Sequence, residues 1–179
     1  MPAPDSKLPG VGTTIFTVMS RLAAEYGAVN LGQGFPDFDP PARLRELVAR
    51  HLASGHNQYA PMAGLPALCE AIARDAGSRH GWTVDPAREV TITAGATEAL
   101  FAATHAVVRA GDEVVLLDPS YDSYAPAVAL AGARAVRVPL ALPDFRIDYE
   151  RLAAAITPRT RLLVVNTPHN PTGAVLDAA

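Results

Sequence analysis

The chain has 179 residues, of which 49% are hydrophobic, so it is long enough to form one sizeable core. Its formal net charge is −3 at pH 7, and its arginines are scattered along the chain rather than gathered into runs. This pattern argues against nucleic acid and anionic membranes as partners and favours small molecules.

Cysteine and histidine usage limits the chemistry further. The single cysteine, Cys69, excludes an internal disulfide and fits a reducing compartment. Residues 1–10 lack a basic region followed by an apolar stretch, and no segment approaches the roughly 18 apolar residues of a membrane span. The five histidines show no metal-ligand spacing. We therefore expect a soluble, cytoplasmic protein without a metal site.

The N-terminal region, residues 1–40, is predicted to be an arm with one short helix. Apolar residues recur at helical spacing over residues 15–26. The stretch 30–41 is rich in proline, glycine and aspartate, a composition that favours a structured loop.

Two amphipathic helices are predicted next, at residues 42–52 and 65–76. The first ends at the Ser54-Gly55 pair, and the second is expected to end before Gly77.

Beyond residue 85, short apolar runs alternate with helical segments. This alternation predicts βαβ units, and hence an α/β fold with a mainly parallel sheet. The predicted strands are residues 89–93, 113–118, 135–139 and 161–166. The predicted helices are one with apolar positions over 100–108, one over about 123–131, and one over 148–156 with Asp148 as its N-cap.

Ligands of open α/β sheets bind beyond the carboxyl ends of the strands, so the residues after each strand carry the most information. Gly95 and the small residues around it follow the first predicted strand and lead directly into a helix. The backbone N–H groups and the dipole of such a helix start suit a phosphate. Taken alone, however, this segment fits an ordinary tight turn somewhat better.

An aromatic ring and an amide follow two other strands. Tyr121 could stack on a planar heteroaromatic ligand, or it could equally cover the edge of the core while Asp122 or Ser123 caps the next helix. Asn170, in an Asn-Pro-Thr-Gly turn, could donate to a ligand oxygen, although a turn asparagine more often bonds its own backbone. Together with the helix start, these residues describe a site for a phosphorylated planar cofactor.

Five segments resemble, in order and spacing, the blocks of class I/II aminotransferases, which are fold type I enzymes dependent on pyridoxal 5'-phosphate (PLP). They are NLGQGFPDFDPP, NQYAPMAG, TITAGATEAL, DPSYDSYAP and NTPHNPTG, and they resemble most the kynurenine and methionine aminotransferase subgroup. The resemblance implies a three-layer α/β sandwich with a mainly parallel sheet. Residues 1–40 would be the arm and small-domain segment, and residues 41–179 an incomplete N-terminal portion of the PLP-binding large domain.

The resemblance implies cofactor contacts for residues that match the family blocks. Gly95, Ala96 and Thr97 would hold the PLP phosphate, and Tyr121 would stack on the pyridine ring. Asn170 would hydrogen-bond the phenolic oxygen of the cofactor.

The same resemblance implies contacts with the substrate and with a second subunit. Asn170 and the backbone of Gly34 would contact the substrate carboxylate, and Phe16 would line the substrate pocket. Tyr59 would reach the phosphate bound by the neighbouring subunit, which implies a homodimer with shared sites.

The family's Schiff-base lysine lies well downstream of the Asn-Pro-Thr-Gly turn, whereas the only lysine here is Lys7. We therefore expect a truncated, inactive chain without a catalytic residue. Its parent is expected to transaminate an L-amino acid of the methionine, aromatic or kynurenine type with a 2-oxo acid. The alternatives are a carbon-sulfur β-lyase of the same fold and a non-catalytic fragment or pseudoenzyme.

Overall fold

A computed structural model describes residues 5–34 and 36–177. They form two compact units, one of residues 13–93 and the other of residues 94–177 together with 5–12. Phe35, in the predicted loop 30–41, lies outside the described residues. The division into domains at residues 40 and 41 stays a prediction.

The unit of residues 13–93 contains three helices. They are α1 (Ile15–Glu25), α2 (Ala42–Ala53) and α3 (Pro66–His80). The Thr14 side chain caps α1 by accepting a hydrogen bond from the Thr17 N–H at 3.3 Å. The predicted helices at 15–26 and 42–52 are therefore confirmed.

The predicted end of α3 before Gly77 is wrong, because the helix continues through this residue to His80. A Cβ atom at Gly77 would lie 3.2 Å from the carbonyl oxygen of Trp82, so the glycine permits a close approach of the chain that follows the helix. The helix ends at Gly81, whose φ of 70° is the left-handed conformation that glycine adopts without steric cost.

The predicted strand at 89–93 is also wrong, since the structure forms no strand over these residues. Residues 90–93 follow a turn, and Ile92 donates one backbone hydrogen bond to the Ala63 carbonyl at 2.9 Å. An apolar run becomes a strand only when a neighbouring strand satisfies its backbone groups.

The second unit has the alternating order that the sequence predicts. Its elements are α4 (Ala96–Val107), β1 (Glu113–Asp118), α5 (Tyr124–Leu130), β2 (Arg134–Pro139), α6 (Tyr149–Ala155) and β3 (Thr160–Val164). The strands form a parallel sheet in the order β2-β1-β3. The predicted strands at 113–118, 135–139 and 161–166 and the parallel sheet are confirmed, with ends that differ by one or two residues.

The central strand β1 separates two halves of the hydrophobic core. Val114 and Leu116 pack with Val128 of α5 on one face, and Val115 and Leu117 pack with residues around α6 on the other. Residues 114–117 are all buried, as expected for a parallel strand covered on both sides. Helix α4 contacts α5 and β3, so this unit has helix, sheet and helix layers.

A buried carboxylate links neighbouring chain segments at the amino edge of the sheet. The Glu113 side chain is only 1% exposed; it accepts a charged hydrogen bond from Arg134 at 2.7 Å and forms an ion pair with Arg159 at 2.6 Å. Its second oxygen accepts from the Thr157 hydroxyl at 2.8 Å. These hydrogen bonds, first the one from Arg134, lower the pKa of Glu113 from 4.5 to about 2. One side chain thus joins β1, β2 and the loop before β3.

The short helices α5 and α6 begin differently. The predicted N-cap of α6 is confirmed, because the Asp148 carboxylate accepts from the Arg151 N–H at 3.0 Å. Ser123 occupies the same position before α5, but its hydroxyl oxygen makes no capping bond. That oxygen is buried and has no hydrogen-bond partner within residues 5–34 and 36–177.

The lowered pKa of Glu113 predicts a loss of stability in acid. Glu113 is ionised in both folded and unfolded chains above pH 4.5, so its stabilisation is complete there. It declines as the pH falls below 4.5 and is lost as the pH falls through about 2, below which both states are protonated. Urea denaturation of wild type and Glu113→Gln between pH 3 and 7 should give unfolding free energies that converge as the pH falls. A difference that does not change with pH would contradict this assignment.

Alanine substitutions at the residues before α5 and α6 should have different effects on the free energy of unfolding. Asp148→Ala removes a capping hydrogen bond and should lower the free energy of unfolding by about 1 kcal/mol. Ser123→Ala removes a buried hydroxyl without a partner and should be neutral within about 0.5 kcal/mol, or stabilising. Urea denaturation measures both variants. Equal losses in the two would show that the Ser123 hydroxyl has a stabilising contact.

Candidate functional site

The carboxyl edge of the sheet brings two of the predicted loops together. Strands β1 and β3 are direct neighbours and parallel, with Leu116 paired with Val164. The chain segments that carry Tyr121 and Asn170 therefore leave the same edge of the sheet side by side. This edge is where open α/β sheets bind their ligands.

Helix α4 begins with a glycine conformation that suits an anion site. Gly95 is its N-cap with φ 96° and ψ 168°, a region of backbone space essentially restricted to glycine. The Glu98 carboxylate turns back and accepts a hydrogen bond from the Ala94 N–H. The N–H groups of Ala96 and Thr97 belong to the first turn, where a helix has no acceptor of its own. Such groups point toward a ligand placed at the helix start.

A cavity of about 190 Å³ lies beside this helix start. Its lining includes Thr97 and Thr104 of α4, Tyr124 and Leu130 of α5, and Val164 of β3. The cavity is therefore a mainly apolar groove along α4 and α5, and neither Tyr121 nor Asn170 lines it.

The predicted stacking residue Tyr121 contacts a second aromatic ring. Its ring centroid lies 5.8 Å from that of Tyr124, and the two planes meet at 64°, close to an edge-to-face pair. Burial raises the pKa of the Tyr124 hydroxyl and the neighbouring Tyr121 raises it further, while a hydrogen bond from the Asn166 side chain partly lowers it. The Tyr124 hydroxyl therefore stays protonated at neutral pH.

Asn170 lies on a turn that hydrogen bonds of the preceding residue, His169, stabilise. The buried His169 ring bonds the Thr172 hydroxyl at 2.8 Å, and its main chain is bonded on both sides at 2.7 Å, by the Ala174 carbonyl and the Gly173 N–H. Asn170 itself is exposed, and within the described residues its side chain makes no hydrogen bond to Thr97 or Tyr121. The turn is ordered by its neighbours, which leaves the Asn170 carboxamide available to a ligand.

Three other predicted site residues belong to the unit of residues 13–93. Phe16 is half-buried near the start of α1, and Gly34 lies exposed in the loop after it. The Tyr59 side chain is fully exposed, at 103%. The roles predicted for these residues remain predictions.

The described part of the chain contains no group of three or more His, Cys, Asp or Glu side chains that could hold a metal ion. Lys7, the only lysine in the sequence, is exposed. None of the helices within residues 5–34 and 36–177 is long and apolar enough to span a membrane.

The loops at the carboxyl edge fit a phosphorylated planar cofactor. The glycine-opened start of α4 suits a phosphate, and the half-buried Tyr121 offers an aromatic ring. Sequence reasoning gave no role to Tyr124, whose ring contacts that of Tyr121. The sequence spacing could have indicated this ring contact, because residues three apart across a turn can face each other.

This arrangement defines an α/β domain of the PLP-dependent, fold type I class. Residues 26–179 match the family model for aminotransferase class I and II, and the chain belongs to this family. Members of the family are enzymes that depend on PLP.

Three relatives illustrate the match. The methionine aminotransferase of Escherichia coli is 56% identical over 176 residues, which cover 98% of this chain and 46% of the relative. The mouse kynurenine–oxoglutarate transaminase 1 is 38% identical, over 94% of this chain and 43% of the relative. The solved N-succinyldiaminopimelate aminotransferase of Mycobacterium tuberculosis superimposes with a TM-score of 0.93 at 49% identity, covering 98% of this chain and 46% of that one. The chain thus spans less than half the length of these relatives.

The backbone at Gly95 predicts a strong effect of a single methyl group. Gly95→Ala should lower the free energy of unfolding by about 1 to 3 kcal/mol, because φ 96° and ψ 168° are strained for any residue with a Cβ atom. Gly12→Ala is the control, since Gly12 has no left-handed backbone and open space around its Cβ position. Urea denaturation should separate the two variants, and a neutral Gly95→Ala would contradict the backbone geometry.

Proposed function

We propose that the whole protein is a PLP-dependent aminotransferase that moves the amino group of an L-amino acid to a 2-oxo acid. The observation that carries this proposal is the shared carboxyl edge of β1 and β3. From it, the loops with Tyr121 and Asn170 leave next to each other, while α4 supplies a helix start opened by glycine.

Each group at this edge has a distinct task in holding the cofactor. Gly95, Ala96 and Thr97 receive the phosphate at the start of α4, where N–H groups and the helix dipole favour negative charge. Tyr121 stacks on the pyridine ring, and its contact with Tyr124 limits the tilt of its own ring. Asn170 donates a hydrogen bond to the phenolic oxygen, which orients the cofactor within the plane of its ring.

The bound cofactor supplies an electron sink that stabilises negative charge at the α-carbon of the amino acid. This chain's residues orient the reactants, but the transfer of the α-proton needs an amine that they do not provide. Lys7, the only lysine, is exposed and precedes all the site loops in the sequence. We therefore propose that residues 1–179 alone are inactive.

The proposal extends to the substrate and to a second subunit. Asn170 and the Gly34 backbone contact the substrate carboxylate, and Phe16 lines the pocket. Tyr59 reaches the phosphate of a neighbouring subunit in a homodimer, an interpretation that its full exposure supports.

A division into an arm with a small-domain segment, residues 1–40, and part of the large domain, residues 41–179, belongs to the same proposal. So does a cytoplasmic location, which rests on the single cysteine.

The relatives limit the choice of amino donor. Their names refer to methionine, kynurenine and N-succinyldiaminopimelate. The methionine aminotransferase has the highest identity of the three, at 56%. We propose a methionine-type or aromatic donor, including kynurenine, for the whole protein.

Kinetic assays of the whole protein test this proposal. With PLP and a 2-oxo acid, methionine or kynurenine should be converted to its own 2-oxo acid, and omission of the acceptor should abolish turnover. Residues 1–179 assayed in parallel should show no activity. Release of pyruvate from cystathionine without an acceptor would instead support a carbon-sulfur β-lyase. Failure of the whole protein to bind PLP would exclude both enzymes.

A further inference from the structure

The turn that carries Asn170 contains a buried histidine that has no task in the proposed cofactor contacts. His169 directly precedes Asn170 and is only 7% exposed, whereas Asn170 itself is exposed. Burial of an imidazole costs free energy unless hydrogen bonds replace those that its nitrogens make to water. The hydrogen-bond partners of His169 therefore show what its burial achieves.

The main chain of His169 closes the turn. Its N–H donates to the Ala174 carbonyl at 2.7 Å, and its carbonyl accepts from the Gly173 N–H at 2.7 Å. Gly173 has φ 74°, a left-handed conformation that glycine adopts without steric cost. Residues 169–174 therefore form a closed loop that contains Asn170.

The side chain of His169 adds a second link inside this loop. Its Nδ1 lies 2.8 Å from the hydroxyl oxygen of Thr172, and that oxygen also accepts a hydrogen bond from the Ala174 N–H at 3.2 Å. Asn170 and Pro171 are the residues that this link spans. The backbone bonds fix where the two ends of the loop meet, whereas the side-chain link restricts the residues between them.

We propose that His169 and Thr172 are positioning residues, whose side-chain hydrogen bond fixes the direction in which Asn170 presents its carboxamide. The inference rests on the proposed function, since it assumes that Asn170 binds the phenolic oxygen of PLP. An amide whose direction is already set loses less conformational freedom when a ligand binds, so the link raises affinity without contacting the ligand. A link that only stabilises the fold would affect PLP binding whether or not the Asn170 carboxamide is present.

The link can be removed from either side. Thr172→Val deletes the hydroxyl and nearly keeps the shape of the side chain, and His169→Leu deletes the imidazole. In the whole protein, each should raise the dissociation constant of PLP by about 3- to 10-fold, the usual effect of one hydrogen bond. Each should also change the visible circular dichroism of the bound cofactor, because its ring is oriented differently. Thr172→Ser keeps the hydroxyl and should restore most of the lost affinity.

The decisive comparison repeats Thr172→Val in a protein that carries Asn170→Ala. If the link acts through Asn170, the double variant should bind PLP no more weakly than Asn170→Ala alone. Equal losses with and without the carboxamide would show that the link acts elsewhere, which overturns the proposal. An Asn170→Ala variant that binds PLP like wild type would overturn it as well.

Thr160→Val is the matched control. The Thr160 hydroxyl also accepts a hydrogen bond from a backbone N–H, that of Thr157 at 2.9 Å, but Thr160 begins β3 and so lies at the amino edge of the sheet. This variant should lower the midpoint of urea denaturation and leave the affinity for PLP unchanged. If Thr172→Val behaves in the same way, the link serves stability alone and the proposal is wrong.

Failure of this inference is distinguishable from failure of the proposed function. If wild type binds PLP but Thr172→Val and His169→Leu bind it equally well, the positioning role is wrong and the proposed function stands. If the wild-type whole protein binds no PLP, the proposed function fails, and the inference fails with it.

Discussion

The parallel pairing of β1 with β2 on one side and β3 on the other is the constraint on which the proposed site depends. Parallel strands end at a common edge, so every loop after a strand is delivered to the same place. Because β1 is buried on both faces, it cannot slip in register without exposing apolar side chains. The relative position of the loops after β1 and β3 is therefore set by the core.

The two edges of this sheet have different chemistry. At the amino edge, Glu113 lies directly opposite Arg134 in the strand register and is also bonded by Arg159. A buried carboxylate is tolerated there because its oxygens are occupied by charged and hydroxyl donors. At this edge, side chains join the strands to one another and to the loop before β3.

The sequence predicted most elements of this fold because each carried its own local signal. The apolar run of β1 and the capping position of Asp148 needed no knowledge of distant residues. The strand predicted at 89–93 failed because strand formation depends on a partner, which a local pattern does not reveal. The end of α3 was misplaced because glycine has two uses, and only the structure separates the packing position Gly77 from the left-handed Gly81.

The candidate site shows the same limit. Gly95, Tyr121 and Asn170 were predicted as site residues because each follows a predicted strand and resembles a family block, and their roles remain predictions. The proximity of the loops after β1 and β3 was not, since it depends on the pairing of these two strands. The family blocks indicate residues that are expected to contact a ligand. They do not indicate side chains that contact other loops, because those contacts form only when the strands pair.

The charged groups near the carboxyl edge limit how the proposed site could bind an anionic cofactor. Arg137, near the end of β2, is already paired with Asp118 at 2.6 Å, so its charge is engaged within the sheet. The groups around the cavity, including Thr97, Ser123 and Tyr124, are neutral. Under the proposed function, a phosphate at the start of α4 would therefore bind backbone N–H groups and the dipole of this helix. Rigid dipoles tolerate little displacement of a ligand, so such a site depends on a core that keeps the helix start in place.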